Sequence, residues 1–262
     1  MSAPLVPSLQ PRPNTGATAM ILAAGRGERM RPLTDSCPKP LLQVRGQALI
    51  DWHVKALALS GFTELVINTA WLGDMVPAHF SRVLGLQPNH YQGSPLSISY
   101  SDEARDFGGA LETAGGIVRA LPLLAETFWV LAGDVYTPEF EFSQHATRRF
   151  AASGKLAHLW LVPNPAHNPR GDFGLGSDGL ALNLASDSTQ PRYTYSTIAL
   201  FRRAFFDNLA GLDFGNPGGI KAPLAPLLRA AMDNRQVSAE LYTGPWTDVG
   251  TPQRLAELNS PL

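Results

Sequence analysis

The densest concentration of chemically able residues runs from Leu22 to Thr34, Leu-Ala-Ala-Gly-Arg-Gly-Glu-Arg-Met-Arg-Pro-Leu-Thr, followed by Cys37-Pro-Lys-Pro-Leu41. Gly25 and Gly27 allow a backbone to approach a phosphate closely and turn N–H groups toward it. Arg26, Arg29 and Arg31 add three guanidinium groups within a few residues, suited to a polyphosphate tail. Lys39, held between two prolines, is a point charge on a stiffened segment that could meet a phosphorus centre. Each piece alone is weak. Gly25-x-Gly27 is half of a dinucleotide fingerprint whose third glycine would fall at Met30, and no Walker sequence occurs. A Pro-Lys-Pro triplet by itself is more often a rigid connector.

Two aspartates stand apart from this cluster. Asp134 closes an apolar run in Leu131-Ala-Gly-Asp-Val135, and Asp248 lies in Trp246-Thr-Asp-Val-Gly-Thr251. Mg²⁺ takes oxygen ligands, typically one or two carboxylates with substrate phosphates and waters. The two can meet only if the fold brings distant strands together, and nothing local demands it.

Taken together, these segments resemble the signature of the sugar nucleotidyltransferases, L-A-A-G-x-G-x-R-x-x-P-L-T followed by P-K-P-L. The likeness extends from about residue 18 to 258. It implies a soluble, Mg²⁺-dependent enzyme joining the nucleotidyl part of a nucleoside triphosphate to a sugar 1-phosphate. By the same resemblance Ala24, Gly25, Gly27, Glu28 and Arg29 hold the triphosphate, and Lys39 contacts the α-phosphate. Leu111-Glu-Thr-Ala-Gly-Gly116 sits where the family reads the base, which puts Glu112 and Gly115 against the nucleotide. Asp134 and Asp248 correspond to the metal ligands.

Within that family the chain resembles the N-acetylmuramate-1-phosphate uridylyltransferases of cell-wall (peptidoglycan) recycling. The resemblance rests on Thr69-Ala-Trp-Leu-Gly73, Glu112-Thr-Ala-Gly-Gly116 and the stretch from Asn164-Pro to Arg170-Gly-Asp-Phe173. It makes UTP the expected nucleotide. Glucose- and mannose-type relatives carry a second active-site lysine in a Glu-Lys-Pro stretch, and residues 165–190 contain no lysine. One position departs from the muramate pattern: Ala132 stands where those enzymes tend to have Asn. Either another residue bonds the acceptor sugar or the acceptor differs. Arg170 is the first candidate for the lactyl carboxylate of N-acetylmuramate, with Asp172 and Ser196 for hydroxyl or acetamido groups. A guanylyltransferase-like or phosphocholine cytidylyltransferase-like enzyme keeps the same phosphate machinery. A non-catalytic sensor has no need of Arg29, Lys39, Asp134 and Asp248 together.

The elements that must position these residues alternate. Thr18–Ala24, Glu64–Ala70, Leu96–Tyr100 and Phe128–Ala132 read as strands. Helices are predicted over Gln47–Ser60, from about Met75 to Val83, and over Thr113–Leu124. This argues an α/β fold with a mostly parallel sheet flanked by helices, Rossmann-like by the resemblance. After about residue 155 strands dominate (Leu156–Val162, Ala181–Leu184, Tyr193–Phe201, Val237–Tyr242), with one helix near Pro223–Met232. A single domain over 18–258 is expected, its nucleotide part 18–154 and a small β-rich acceptor part 155–258.

The remaining features exclude other classes. With a net charge of −1, no general basic field points to nucleic acid. Only four lysines are present, so a lysine needed for chemistry has few candidates. A single cysteine, Cys37, rules out an intramolecular disulfide and any multi-cysteine zinc cluster, and fits a reducing cytoplasm. No apolar run approaches the ~18 residues of a membrane span. Residues 1–17, proline-rich and without a signal-peptide pattern, are expected to be a disordered leader. A monomer or small homo-oligomer is expected. No Ser-His-Asp or Cys-His arrangement is evident, and none of the six histidines is assigned to the chemistry.

Overall fold

The computed structural model describes residues 18–83, 90–91, 94–207 and 209–260; the expected leader lies outside the described residues. Strands β1 (Thr18–Ala23), β2 (Glu64–Thr69), β3 (Ser97–Asp102), β4 (Thr127–Ala132), β5 (Ala157–Val162), β6 (Phe173–Leu175), β7 (Ala181–Leu182), β8 (Arg192–Arg202) and β9 (Val237–Leu241) form one nine-stranded sheet. Its main path is β7-β6-β8-β4-β1-β2-β3, and β5 pairs with both β8 and β9. β4, β1, β2 and β3 are mutually parallel, whereas the long β8 runs antiparallel to β4, β5 and β6.

The apolar runs form strands because both faces of the sheet are covered. Met20, Val66, Phe128 and Val130 face one core; Ala19, Ile21, Leu65, Ile67, Trp129 and Leu131 face the other. That is the two-residue alternation of a pleated strand, apolar on both sides as parallel sheets require. Helices α1 (Leu49–Leu59), α2 (Met75–Val83), α3 (Glu103–Phe107), α4 (Glu112–Ala120), α5 (Gln144–Ala152), α6 (Leu224–Asp233) and α7 (Pro252–Asn259) complete the chain. α4 and α6 cover the first face, α1, α2 and α5 the second.

Three expected elements differ in detail. α1 starts at Leu49 because Gln47–Ala48 pair with Gln43–Val44 as a short ribbon. The helix expected to reach Leu124 ends at Ala120, and Leu121–Leu123 tighten into a 3₁₀ turn around Pro122. A proline at that point cannot continue the α-helical hydrogen bonds. The strands after residue 155 extend the first sheet, with β8 wedged between β4 and β5.

A third, smaller core matters most for function. Met30, Leu42, Val44, Leu49, Tyr136, Val249 and Leu255 pack together. They tie the loop after β1 to the segments carrying both aspartates and to α7.

Candidate active site

The loop after β1 leaves the carboxyl end of the central strand, where open α/β sheets bind ligands. Gly27 caps a 3₁₀ turn over Glu28–Met30 with φ of 68°, in the left-handed region that favours glycine. A Cβ there would also lie 2.9 Å from the Thr34 methyl. The Thr34 hydroxyl donates to the Gly27 carbonyl at 2.9 Å, which locks the turn. The three arginines divide their work. Arg26 stacks 3.5 Å from the Trp71 ring and donates to the Thr34 carbonyl and Asp35; Arg31 pairs with Asp35 at 2.8 Å. Arg29 has no ion-pair partner among the described residues and lines a pocket of about 230 Å³. Gly25, Gly27, Glu28, Lys39, Asp134 and Gly250 line the same pocket.

Asp134 and Asp248 are joined by local sheet structure. Val135–Tyr136 and Thr247–Asp248 form an antiparallel ribbon with Asp248 opposite Val135. The Val249 N–H donates to the Asp134 carbonyl at 3.1 Å. Trp246 anchors the ribbon by donating from Nε1 to the Ser196 carbonyl at 3.0 Å. His53, wholly buried on α1, bonds the Val135 carbonyl at 2.9 Å; burial pushes its pKa down to about 4 against that bond and the charge of Asp134. Its imidazole is therefore neutral and supports the ribbon. Gly250 leaves room at the turn: a Cβ would fall 2.6 Å from the Arg254 guanidinium and 3.0 Å from both Asp248 oxygens.

Both carboxylates converge on Lys39. Its Nζ is bonded to Asp134 Oδ2 and lies 4.0 Å from Asp248 Oδ1. Arg254 donates to Asp248 Oδ2 at 2.9 Å, and His167 Nε2 is 3.4 Å from the same oxygen. A buried lysine is stable there only with such partners. Among the described residues no group of three or more acidic, histidine or cysteine side chains could hold a metal alone. The donor set, two carboxylates beside the smaller pocket with a lysine charge attracted between them, fits Mg²⁺ of the kind completed by phosphates and waters. When bound there, Mg²⁺ would neutralise phosphate charge and polarise the α-phosphate.

Asp134 also lines a larger cleft of about 670 Å³ that runs past Ala24, Gly25, Glu112 and Thr113 to Asp172, Phe173, Tyr195, Thr197 and Arg229. A cleft of this size, running from a phosphate loop past paired carboxylates and a lysine, suits group transfer between two phosphorylated partners.

The nucleotidyl transferase family model matches residues 18–262. The chain belongs to the nucleotidyl transferase family. It is 46% identical to an N-acetylmuramate alpha-1-phosphate uridylyltransferase of Neisseria meningitidis serogroup B, over 91% of this chain and 95% of that one. An enzyme with the same name from Caulobacter vibrioides is 44% identical, over 90% and 92%. A solved structure titled a putative glucose-1-phosphate thymidylyltransferase from Bacillus anthracis, in complex with a sucrose, superposes with a TM-score of 0.70. It covers 93% of this chain and 94% of that one at 19% identity, a likeness of fold.

The segment expected to read the base, Leu111 to Gly116, divides between the cleft and the core. Glu112 and Thr113 line the cleft, but Gly115 and Gly116 serve close packing. A Cβ on Gly115 would lie 2.5 Å from the Ile220 carbonyl, and one on Gly116 2.4 Å from Glu103 Oε1. Glu103, 1% exposed, accepts from Asn68 Nδ2 and from the Leu111 N–H, both at 2.7 Å. Asn68 in turn accepts from the Ala23 N–H at 2.9 Å. This relay ties the end of β1 to the start of α4, and burial holds the Glu103 pKa above its ordinary value.

The acceptor candidates separate. Asp172 lines the cleft, its oxygens accepting from the Tyr195 N–H and Asn168 Nδ2. Ser196 is corrected by the structure: it is fully buried, its hydroxyl donating to the Trp160 carbonyl and accepting from the Ile198 N–H. No donor is left for a sugar. Arg170 lies exposed in the turn closed by the Gly171-to-Asn168 bond, outside the cleft lining. Two residues that the motifs did not reveal do line it. Thr197, with φ of 65°, sits where β5 and β8 slip register and Ile198 pairs with Leu131, beside Ala132. A β-branched residue in that conformation is strained, and such strain gathers at functional sites. Arg229 on α6 is the other.

Proposed function

We propose that this nucleotidyl transferase moves the uridylyl group of UTP to N-acetylmuramate 1-phosphate, with Mg²⁺, in cytoplasmic cell-wall sugar recycling. The observation that carries it is the convergence of Lys39, Asp134 and Asp248 where the phosphate pocket meets the larger cleft. Near-full-length identity to two muramate-type enzymes supports the acceptor.

In this reading an oxygen of the acceptor phosphate attacks the α-phosphorus of UTP. The new P–O bond forms as the bond from the α-phosphorus to the β-phosphate bridge breaks, and pyrophosphate leaves. No proton need move, because the acceptor phosphate is largely dianionic at neutral pH, with a second pKa of roughly 6. Catalysis is alignment and charge neutralisation. Ala24, Gly25, Gly27 and Glu28 shape the phosphate seat, and Arg29 faces the leaving pyrophosphate. Lys39 meets the α-phosphate, and Asp134 with Asp248 would hold Mg²⁺. Glu112 and Gly115 belong to the base-reading segment, Gly115 by holding its backbone close to Ile220. Residues 18–154 then supply the nucleotide part and 155–258 the acceptor part.

A pyrophosphate-release assay with each nucleoside triphosphate against a panel of sugar 1-phosphates, with and without EDTA, tests the proposal. UTP with N-acetylmuramate 1-phosphate should give the highest kcat/KM, lost with EDTA. A preference for GTP with mannose 1-phosphate would replace this reading with the guanylyltransferase-like one.

A further inference from the structure

The cleft is poor in positive charge where an anionic acceptor needs it. Four acidic side chains, Glu103, Glu112, Asp134 and Asp172, contribute to its lining, against a single cationic one among the described residues, Arg229. The Arg229 guanidinium stacks 5.1 Å from the Phe173 ring and donates through Nη1 to Asn183 Oδ1 at 2.8 Å. Asn183 is held in turn by donating to both Asp233 oxygens, at 3.0 and 3.2 Å. No carboxylate among the described residues pairs with Arg229, and its Nε and Nη2 donors have no partner there.

A guanidinium fixed by a ring on one side and an amide on another, with a fork of donors left over, is preorganised for a planar anion. It lies on α6 beside Phe173, whereas Lys39 and Asp134 mark the phosphate end. An acceptor whose phosphate attacks the α-phosphorus at the Asp134 end has the rest of the cleft in which to extend its sugar toward Arg229.

We propose that Arg229 is the specificity-determining residue that binds a carboxylate on the acceptor sugar. Resting on the muramate reading above, this carboxylate is the lactyl group that distinguishes N-acetylmuramate from N-acetylglucosamine. Phe173 and Asn183 position the guanidinium. Arg170, exposed in its turn, has no part in it.

The test uses three acceptors with the purified full chain: N-acetylmuramate 1-phosphate, its lactyl methyl ester and N-acetylglucosamine 1-phosphate. Wild type should prefer the free acid over both others. Arg229→Ala should raise the KM for the free acid about 10- to 100-fold, the range for a lost charged hydrogen bond. The ester, the glucosamine acceptor and UTP should be unaffected, and Arg229→Lys should keep part of the preference. Equal losses on all three acceptors in both variants, or a preference that survives Arg229→Ala, would overturn the assignment to Arg229 and leave the muramate reading standing. A wild type that does not use N-acetylmuramate 1-phosphate would overturn both.

Discussion

Lys39 is bonded to Asp134 at the junction of the smaller pocket and the larger cleft, with Asp248 within 4.0 Å of the same ammonium. The lysine therefore occupies the position of a cation between two carboxylates. In the proposed reaction, where Asp134 and Asp248 would hold Mg²⁺, Lys39 would exchange Asp134 for a phosphate oxygen of the substrate. Under that proposal the side chain that neutralises the acids in the free protein would be freed to act on the nucleotide.

Asp134→Asn and Asp248→Asn should each lower turnover by on the order of 100-fold or more, in keeping with the loss of a preorganised electrostatic group. Pyrophosphate release at saturating Mg²⁺ measures this, with a thermal melt to show that the variants fold. Near-normal turnover in Asp248→Asn would take that residue out of the mechanism.

Lys39→Ala and Arg29→Ala should differ in kind. Lys39→Ala should lower kcat more than it weakens UTP binding, because its charge is needed as the α-phosphorus becomes five-coordinate. It should also lower the Mg²⁺ concentration needed for half-maximal binding of UTP, since a competing cation is gone. Arg29→Ala should cost roughly 2–4 kcal/mol in kcat/KM through the lost triphosphate contact. A change confined to KM in Lys39→Ala would count against this division.

Gly116→Ala should damage both stability and base reading. The added methyl would meet Glu103 Oε1 at 2.4 Å and Asn68 Nδ2 at 2.9 Å, so the buried relay must shift. Overpacking of this kind costs about 1–3 kcal/mol. Chemical denaturation should show the loss, and the KM for UTP should rise because Leu111 and Glu112 move with Glu103. An unchanged midpoint would mean that the relay yields freely.

His53 predicts a pH dependence of folding. Its pKa falls from an ordinary 6.5 to about 4 in the folded protein, chiefly by burial. The unfolded chain thus binds the extra proton first, and the stabilisation present above pH 6.5 is lost as pH falls toward 4. The full effect is about 3 kcal/mol, at 1.36 kcal/mol per unit. Glu103, whose pKa is raised by burial, works in the opposite sense. Denaturation midpoints of wild type and His53→Gln between pH 7 and 4.5 should converge as pH drops. Parallel profiles would show that His53 does not carry the slope.

Much of the site was legible because its chemistry is concentrated in short segments. The loop from Gly25 to Lys39 follows directly from one buried strand, so a local pattern suffices to place it. Ser196 follows the plain alternation of β8, with Tyr195 and Thr197 on the cleft side and Ser196, Ile198 and Leu200 on the other; which side carries the cleft is set by what packs on the sheet and not by the strand's own pattern. Arg170 follows a predicted strand end and could pair bidentately with a carboxylate, yet it lies exposed in its turn, outside the cleft lining. α5 escaped notice because only Thr147 and Phe150 are buried along it, too few for a visible stripe.

The amino-acid sequence by itself determined the α/β class and the family, and it singled out the candidate phosphate loop and the two aspartates, since each depends on residue types at short spacing or on a strand's own apolar run. Only the tertiary structure decided which side chains share a surface. Asp134 and Asp248 meet through a two-residue ribbon, Glu103 reaches back to Asn68 and forward to Leu111, and Arg229 faces the cleft from a helix formed late in the chain. These pairings are set by sheet order and by the packing of helices on its faces. They are long-range consequences of burying one common core, which no local spacing encodes.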